Sequence, residues 1–216
     1  MRQNKEQNYT EADLVLNLGL QNLELVYLPL MQEWVGATVI LTEIEQTNFE
    51  KLWLRAKKHI KAWQEEELKV KFIAPLLELC DLIDGQGYET YLEKTISAVV
   101  DGYFLKTKTD FMISKGIMDK PLRPYFHVQE WKPHKKPTGD SMAQLLEGML
   151  IAQALNEDGL PIYGCEVVGK QWSFTILERK QYCTSESYNV TKRDELLQVI
   201  AILKKFREIL ITKLLR

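Results

Sequence analysis

Tyr125-Phe126-His127-Val128-Gln129-Glu130-Trp131-Lys132 is the stretch on which the fold reading turns. Its β-branched and aromatic content predicts a strand. Residues two apart in a strand share a face, so Phe126, Val128, Glu130 and Lys132 are expected together, with Tyr125, His127, Gln129 and Trp131 opposite. Burying Phe126 and Val128 carries Glu130 and Lys132 to the end of the same buried face, their Cα atoms about 6.6 Å apart at the usual strand rise. Charged groups are seldom put in a core unpaired, so this strand end calls for an explanation. Earlier in the chain, Asp110 opens the apolar run Phe111-Met112-Ile113. If the two strands are neighbours, Asp110 faces Glu130. His127, on the other face, reads as a packed or surface histidine.

Working outward, the first 95 residues read as helical. Thr42-Glu43-Ile44-Glu45 and Thr47-Asn48-Phe49-Glu50 are two overlapping capping boxes. Phe49, Leu52, Trp53, Ala56, Ile60 and Trp63 follow at helical spacing, and so do Leu68, Phe72, Leu76, Leu79 and Ile83, with a kink expected at Pro75. The tryptophans are expected in the core. Residues 95–100 and 103–108 predict two strands joined by Asp101-Gly102, a type I′ turn pair. Residues 109–113 predict a further strand, and 114–124 a loop. Beyond the opening stretch comes a polar loop, then a helix capped by Asp140 or Ser141 with Met142, Leu145, Leu146, Met149, Leu150 and Ala154 as its buried stripe. Residues 162–168 and 171–177 predict a second hairpin, 181–185 an added strand, and 194–214 a last helix. Hairpins around one strand–helix–strand crossover predict an α/β fold with a mixed central sheet flanked by helices.

The 216 residues suit one domain with a smaller appendage, at a prior of roughly 150 residues per domain. With 45% hydrophobic and 27% charged residues, disorder and collagen-like repeats are excluded. No apolar run approaches the ~20 residues that span a bilayer, and the polar start of the chain precedes no signal-type apolar core. Cys80, Cys165 and Cys183 are scattered without a CxxC pair and are expected as small buried hydrophobes. A cytoplasmic protein is expected. The net charge of −2 hides two basic stretches. Residues 115–136 carry six bases against two acids, and 192–216 seven against three, which permits an anion-binding face or a plain solvated surface. His134 and its loop can be read either way.

Two facing carboxylates repel unless a cation lies between them. Hard oxygen donors without Cys or His select Mg²⁺ or Mn²⁺ over zinc, and an adjoining lysine can hold a water or stabilise a charged phosphoryl transition state. From spacing alone, Asp110, Glu130 and Lys132 read first as a salt-bridged trio at a strand edge and second as a metal site.

Thr109-Asp110, then Glu130-Trp131-Lys132, then the helix bearing Gln144, resemble the core of the PD-(D/E)xK nuclease superfamily, whose members share a restriction-endonuclease-like α-β-β-β-α-β core. Residues 67–177 follow that order. Glu67-Leu68-Lys69-Val70-Lys71-Phe72-Ile73-Ala74-Pro75-Leu76-Leu77 is similar to the first helix of the nuclease domains that open type I restriction motor subunits. The stretch with Gly164, Gly169, Trp172 and Phe174 resembles their closing hairpin, and bacterial proteins of this general layout are similar too. The resemblance implies a nuclease-like α/β domain over residues 63–216, a helical N-terminal extension over 1–62, and Mg²⁺- or Mn²⁺-dependent hydrolysis of DNA phosphodiester bonds. It implies Asp110 and Glu130 as metal ligands with the Trp131 carbonyl as a third, Lys132 as the catalytic lysine, and Glu67 as a further acidic residue. Gln144 would match the glutamine of a QxxxY motif, whose tyrosine is Gly148 here; Thr109 stands where many members have proline. Lys135 and Lys136, just after Lys132, are then the expected phosphate contacts, and Lys115, Lys120 and Arg123 surface charge. Two alternatives stay open. One is an inactive nuclease-fold module that binds nucleic acid or protein. The other is an interaction subunit that docks a second copy or a partner protein through residues 1–60.

Overall fold

A computed structural model describes residues 9–23, 28–83, 85–134 and 139–215. Three long strands dominate it: β2 (Glu89–Val100), β3 (Tyr103–Ile117) and β4 (Lys120–Lys132), preceded by the two-residue β1 (Gln21–Asn22). After them come β5 (Ile162–Val168), β6 (Gln171–Glu178), β7 (Gln181–Thr184) and β8 (Tyr188–Asn189). They form one eight-stranded sheet in the order β1-β7-β6-β5-β4-β3-β2, with β8 on β6. The sheet is mixed. The β4–β5 and β1–β7 pairs are parallel and the others antiparallel. The β4–β5 crossover runs through α6 (Ser141–Asn156), whose first turn Asp140 caps by accepting from the Ala143 N–H at 2.9 Å.

Asp101 and Gly102 sit at φ 49° and 85°, as the β2–β3 turn requires. Two strand expectations need correction. Residues 109–113 are the middle of β3, not a new strand, and 114–124 form no loop. Gly116 pairs with Pro121 and Ile117 with Lys120, so β3 and β4 run on to a tight turn at Met118, φ 58°. The glycine and proline that suggested a loop lie within this ladder. Any Cβ on Gly116 would fall on the Tyr91 hydroxyl.

The simple pairing along β4 is also interrupted at two points, at Phe126 and at Arg123-Pro124. Ile113 pairs with His127 and Ser114 with Tyr125, which leaves Phe126 as an extra residue, a β-bulge. Phe126 therefore joins the core layer of Phe111, Ile113 and Trp131, while Val128 joins the opposite layer with Met112.

The second layer packs α6, together with α1 (Glu11–Leu18), on one face of the sheet through Leu145, Leu146 and Met149. The first layer packs α2 (Pro29–Val35), α3 (Glu43–His59) and α7 (Arg193–Ile209) on the other. The Trp34 Nε1–H donates to the Ile202 carbonyl at 2.9 Å and the Trp53 Nε1–H to that of Thr191 at 3.0 Å. Residues 28–63 thus share the core of the sheet, and β1 extends the sheet beyond β7. Thr42 and Glu45 form the capping box of α3. The second expected box lies inside the helix, where the Thr47 hydroxyl donates to the Glu43 carbonyl. The kink expected at Pro75 takes the form of one π-helical turn, Lys69–Ile73, between α4 (Glu65–Leu68) and α5 (Ala74–Leu79). The three cysteines are buried and free. Among the described residues, no helix is long and apolar enough to cross a membrane.

Candidate functional site

The Phe111–Gln129 pairing sets Asp110 of β3 beside Glu130 of β4. A hydrogen bond fixes the junction: the Trp131 N–H donates to Asp110 Oδ2 at 2.7 Å. One step along β4, Lys132 Nζ lies 2.7 Å from Glu130 Oε1, with both side chains almost wholly covered. The three residues expected to carry chemistry are therefore together. Leu92 pairs with Phe111 and Lys94 with Thr109, so Glu93 sits between them at φ 53° next to Asp110. From the helical side comes Lys69, the first residue of the π-helical turn. Its ammonium lies 3.5 Å from Asp110 Oδ1, 2.8 Å from Glu65 and 3.2 Å from Glu93.

The electrostatics follow from this crowding. Burial, helped by the charge of Asp110, pushes the Glu130 carboxyl up to about 7, against the pull of the Lys132 hydrogen bond. Burial also raises Asp110, opposed by the Trp131 N–H and by Lys69. On the far side of β4, Glu166 of β5 is Glu130's direct partner in the parallel ladder. Its half-buried carboxylate accepts from the Ser141 hydroxyl at 2.5 Å. A recess of about 480 Å³ opens beside Asp110, walled by Val70, Leu77, Ile83, Leu92, Phe111 and Trp131.

The other expected residues are placed differently. Glu67 is exposed, pairs with Lys71 and accepts from the Gln64 N–H. It does not join Asp110; Glu65, two positions earlier, is the acid whose charge reaches both Asp110 and Glu130. The Trp131 side chain is buried, stacked on Phe111 with ring centres 5.8 Å apart, and donates to Gln129. Gln144 sits in the first turn of α6 with its buried Oε1 lacking a hydrogen-bond partner among the described residues. Lys135 and Lys136 lie outside the described residues. His127 is wholly buried between Trp34 and Phe206, and burial pushes its pKa down to about 3, so it is a neutral core residue. Gly148 has a steric reason: a Cβ there would meet Val128 Cγ1 at 3.0 Å and Thr109 Cγ2 at 3.4 Å, so a tyrosine has no room.

Sequence reasoning missed Lys69, Glu65 and Glu93. Glu65 and Lys69 are four apart and thus neighbours on a helix, a signal that was available. Glu93 depends on a left-handed residue inside a strand, which no residue-type pattern announces.

No protein-family model matches this chain, and no curated protein does. What the site can hold must come from its own donors. Among the described residues no group of three or more His, Cys, Asp and Glu side chains forms a metal cage. The donors of Asp110 and Glu130 are hard oxygens, and Mg²⁺ is commonly bound by one or two carboxylates with waters and substrate phosphate completing its shell. A pair of carboxylates with a backbone carbonyl fits that requirement and does not fit zinc.

Proposed function

We propose that this protein is a Mg²⁺- or Mn²⁺-dependent nuclease of the PD-(D/E)xK type, acting on DNA phosphodiester bonds. The observation that carries the reading is the Asp110 carboxylate held by the Trp131 N–H next to the Glu130–Lys132 pair. The element order supports it: α4–α5, then β2, β3 and β4, then α6, then β5 parallel to β4.

Asp110, Glu130 and the Trp131 carbonyl would hold the cation. Bound there, it would polarise a phosphate oxygen and lower the pKa of a water. Asp110 is oriented for this by the 2.7 Å hydrogen bond from the Trp131 N–H. Glu130 has to give up its proton to serve as a ligand, so binding should strengthen as pH rises through about 7. Lys132, freed from its partner when Glu130 turns to a cation, would hold the attacking water by hydrogen bonding and offset charge on the phosphoryl group.

A second reading, a nuclease-fold module without catalysis that binds nucleic acid or a protein, rests on one observation. Asp110 already has a cationic neighbour, Lys69, at 3.5 Å. Incubating plasmid and single-stranded DNA with the protein in Mg²⁺ or Mn²⁺ separates the two. Cleavage lost in Asp110→Asn and Lys132→Met supports the nuclease. The nuclease reading is falsified if neither substrate is cut, or if these variants cut as the parent does.

A further inference from the structure

Lys69 is placed as no ordinary surface lysine is. Its side chain is 12% exposed, and its ammonium touches four carboxylates: Glu65 at 2.8 Å, Glu93 at 3.2 Å, and Glu66 and Asp110 at 3.5 Å. Three of the four, Glu65 and Glu66 on α4 and Glu93 on β2, are not among the proposed metal ligands and tether the lysine. The fourth, Asp110, is the residue that ties it to the proposed metal centre. The backbone beneath it departs from the α-helix, since Lys69 begins the π-helical turn. Such turns are rare and frequent at functional sites.

We propose that Lys69 is the resident counter-ion of Asp110 and sets the affinity of the centre for divalent cations. This rests on the metal-dependent reading above. In the metal-free protein, Lys69 offsets the charge of Asp110 in a covered setting where bare carboxylates repel. A divalent cation arriving between Asp110 and Glu130 meets the ammonium beside one of its ligands. It binds only as Lys69 gives up that carboxylate and is retained by Glu65, Glu66 and Glu93. The lysine thus acts as a built-in competitor. It raises the cation concentration needed for loading and keeps the empty site folded.

The test uses the full chain and Mn²⁺ alone, without DNA. Mn²⁺ affinity is read by calorimetry and melting temperature with EDTA and with saturating Mn²⁺, for the parent, Lys69→Met and Lys69→Arg. Lys69→Met should bind Mn²⁺ at least about tenfold tighter, the size of effect that one unit charge a few ångströms away produces near a protein surface. It should also melt lower in EDTA and gain more from Mn²⁺, because tighter binding to the folded state stabilises it further. Lys69→Arg should follow the parent. Equal or weaker Mn²⁺ binding by Lys69→Met, with the parent binding normally, would overturn the role of Lys69 and leave the metal centre standing. Absence of Mn²⁺ binding from parent and variant alike would remove both. If Lys69→Met does not fold, Lys69→Gln keeps a hydrogen-bond donor for Glu65 and is held to the same outcomes.

Discussion

Replacing Glu130 by glutamine should change how stability depends on pH, by an amount the structure allows to be worked out. The unfolded carboxyl titrates near 4.5 and the folded one near 7. Between those values the folded chain holds the extra proton, so the free energy of unfolding falls as pH rises. The stability tied to the protonated form is whole below pH 4.5, is lost progressively, and is gone above 7. At 1.36 kcal/mol per unit the loss is about 3 kcal/mol, worth roughly 6–12 °C in melting temperature for a chain of this size. The raw profile is not the measurement. Glu147, raised to about 7 by burial against a hydrogen bond from the Lys106 N–H, contributes in the same direction over the same window. His127, depressed to about 3 by burial, works the opposite way, since the unfolded chain takes up its proton as pH falls below about 6.5. Urea unfolding at a series of pH values from 5 to 8, in EDTA, should therefore compare parent with Glu130→Gln. The variant should lose about 2–3 kcal/mol less than the parent across that range, with unchanged m-value. Parallel profiles would refute the burial argument for Glu130.

Asp110→Ala should destabilise by about 1–3 kcal/mol, because the Trp131 N–H loses its acceptor, whereas Asp110→Asn keeps an oxygen there and should cost much less; thermal melts of the two decide it. Gly148→Leu should cost about 1–3 kcal/mol by forcing α6 away from Val128 and Thr109, read as a lower urea midpoint. Glu67→Ala should leave Mn²⁺ affinity within about twofold of the parent, since an exposed charge facing Lys71 is well screened; a large loss in calorimetry would return Glu67 to the centre.

The strand types, the Asp101-Gly102 turn, the crossover through α6 and the proximity of Asp110, Glu130 and Lys132 were all legible, because each follows from local periodicity or from neighbouring strands. The long hairpin tip was not. Gly116, Pro121 and Pro124 have loop composition, and only the Tyr91 side chain packed over Gly116 explains the glycine inside a ladder. The first core helix was expected to bring Glu67 to the site, whereas Glu65 and Glu66 are the acids of that helix that pair with Lys69. In the run of three glutamates, Glu65 and Glu66 pair with Lys69 and Glu67 with Lys71, a division set by helical position that residue type alone does not announce. Helices α2 and α3 read as an appendage because their spacing shows a buried face without showing what covers it. Trp34 and Trp53 find their partners on and just before α7, more than a hundred residues later.

One unpaired residue, Phe126, acts as a phase shifter for everything that follows it in β4. Upstream of it the strand faces one way, and downstream the same odd–even rhythm resumes half a period out of step. Substituting a residue between the bulge and Glu130 alters one contact, but deleting one there would shift everything downstream by half a period. Glu130 and Lys132 would turn toward the tryptophan-rich layer. The number of residues between the bulge and Glu130 is therefore a stricter requirement on this protein than the identity of most residues that fill it.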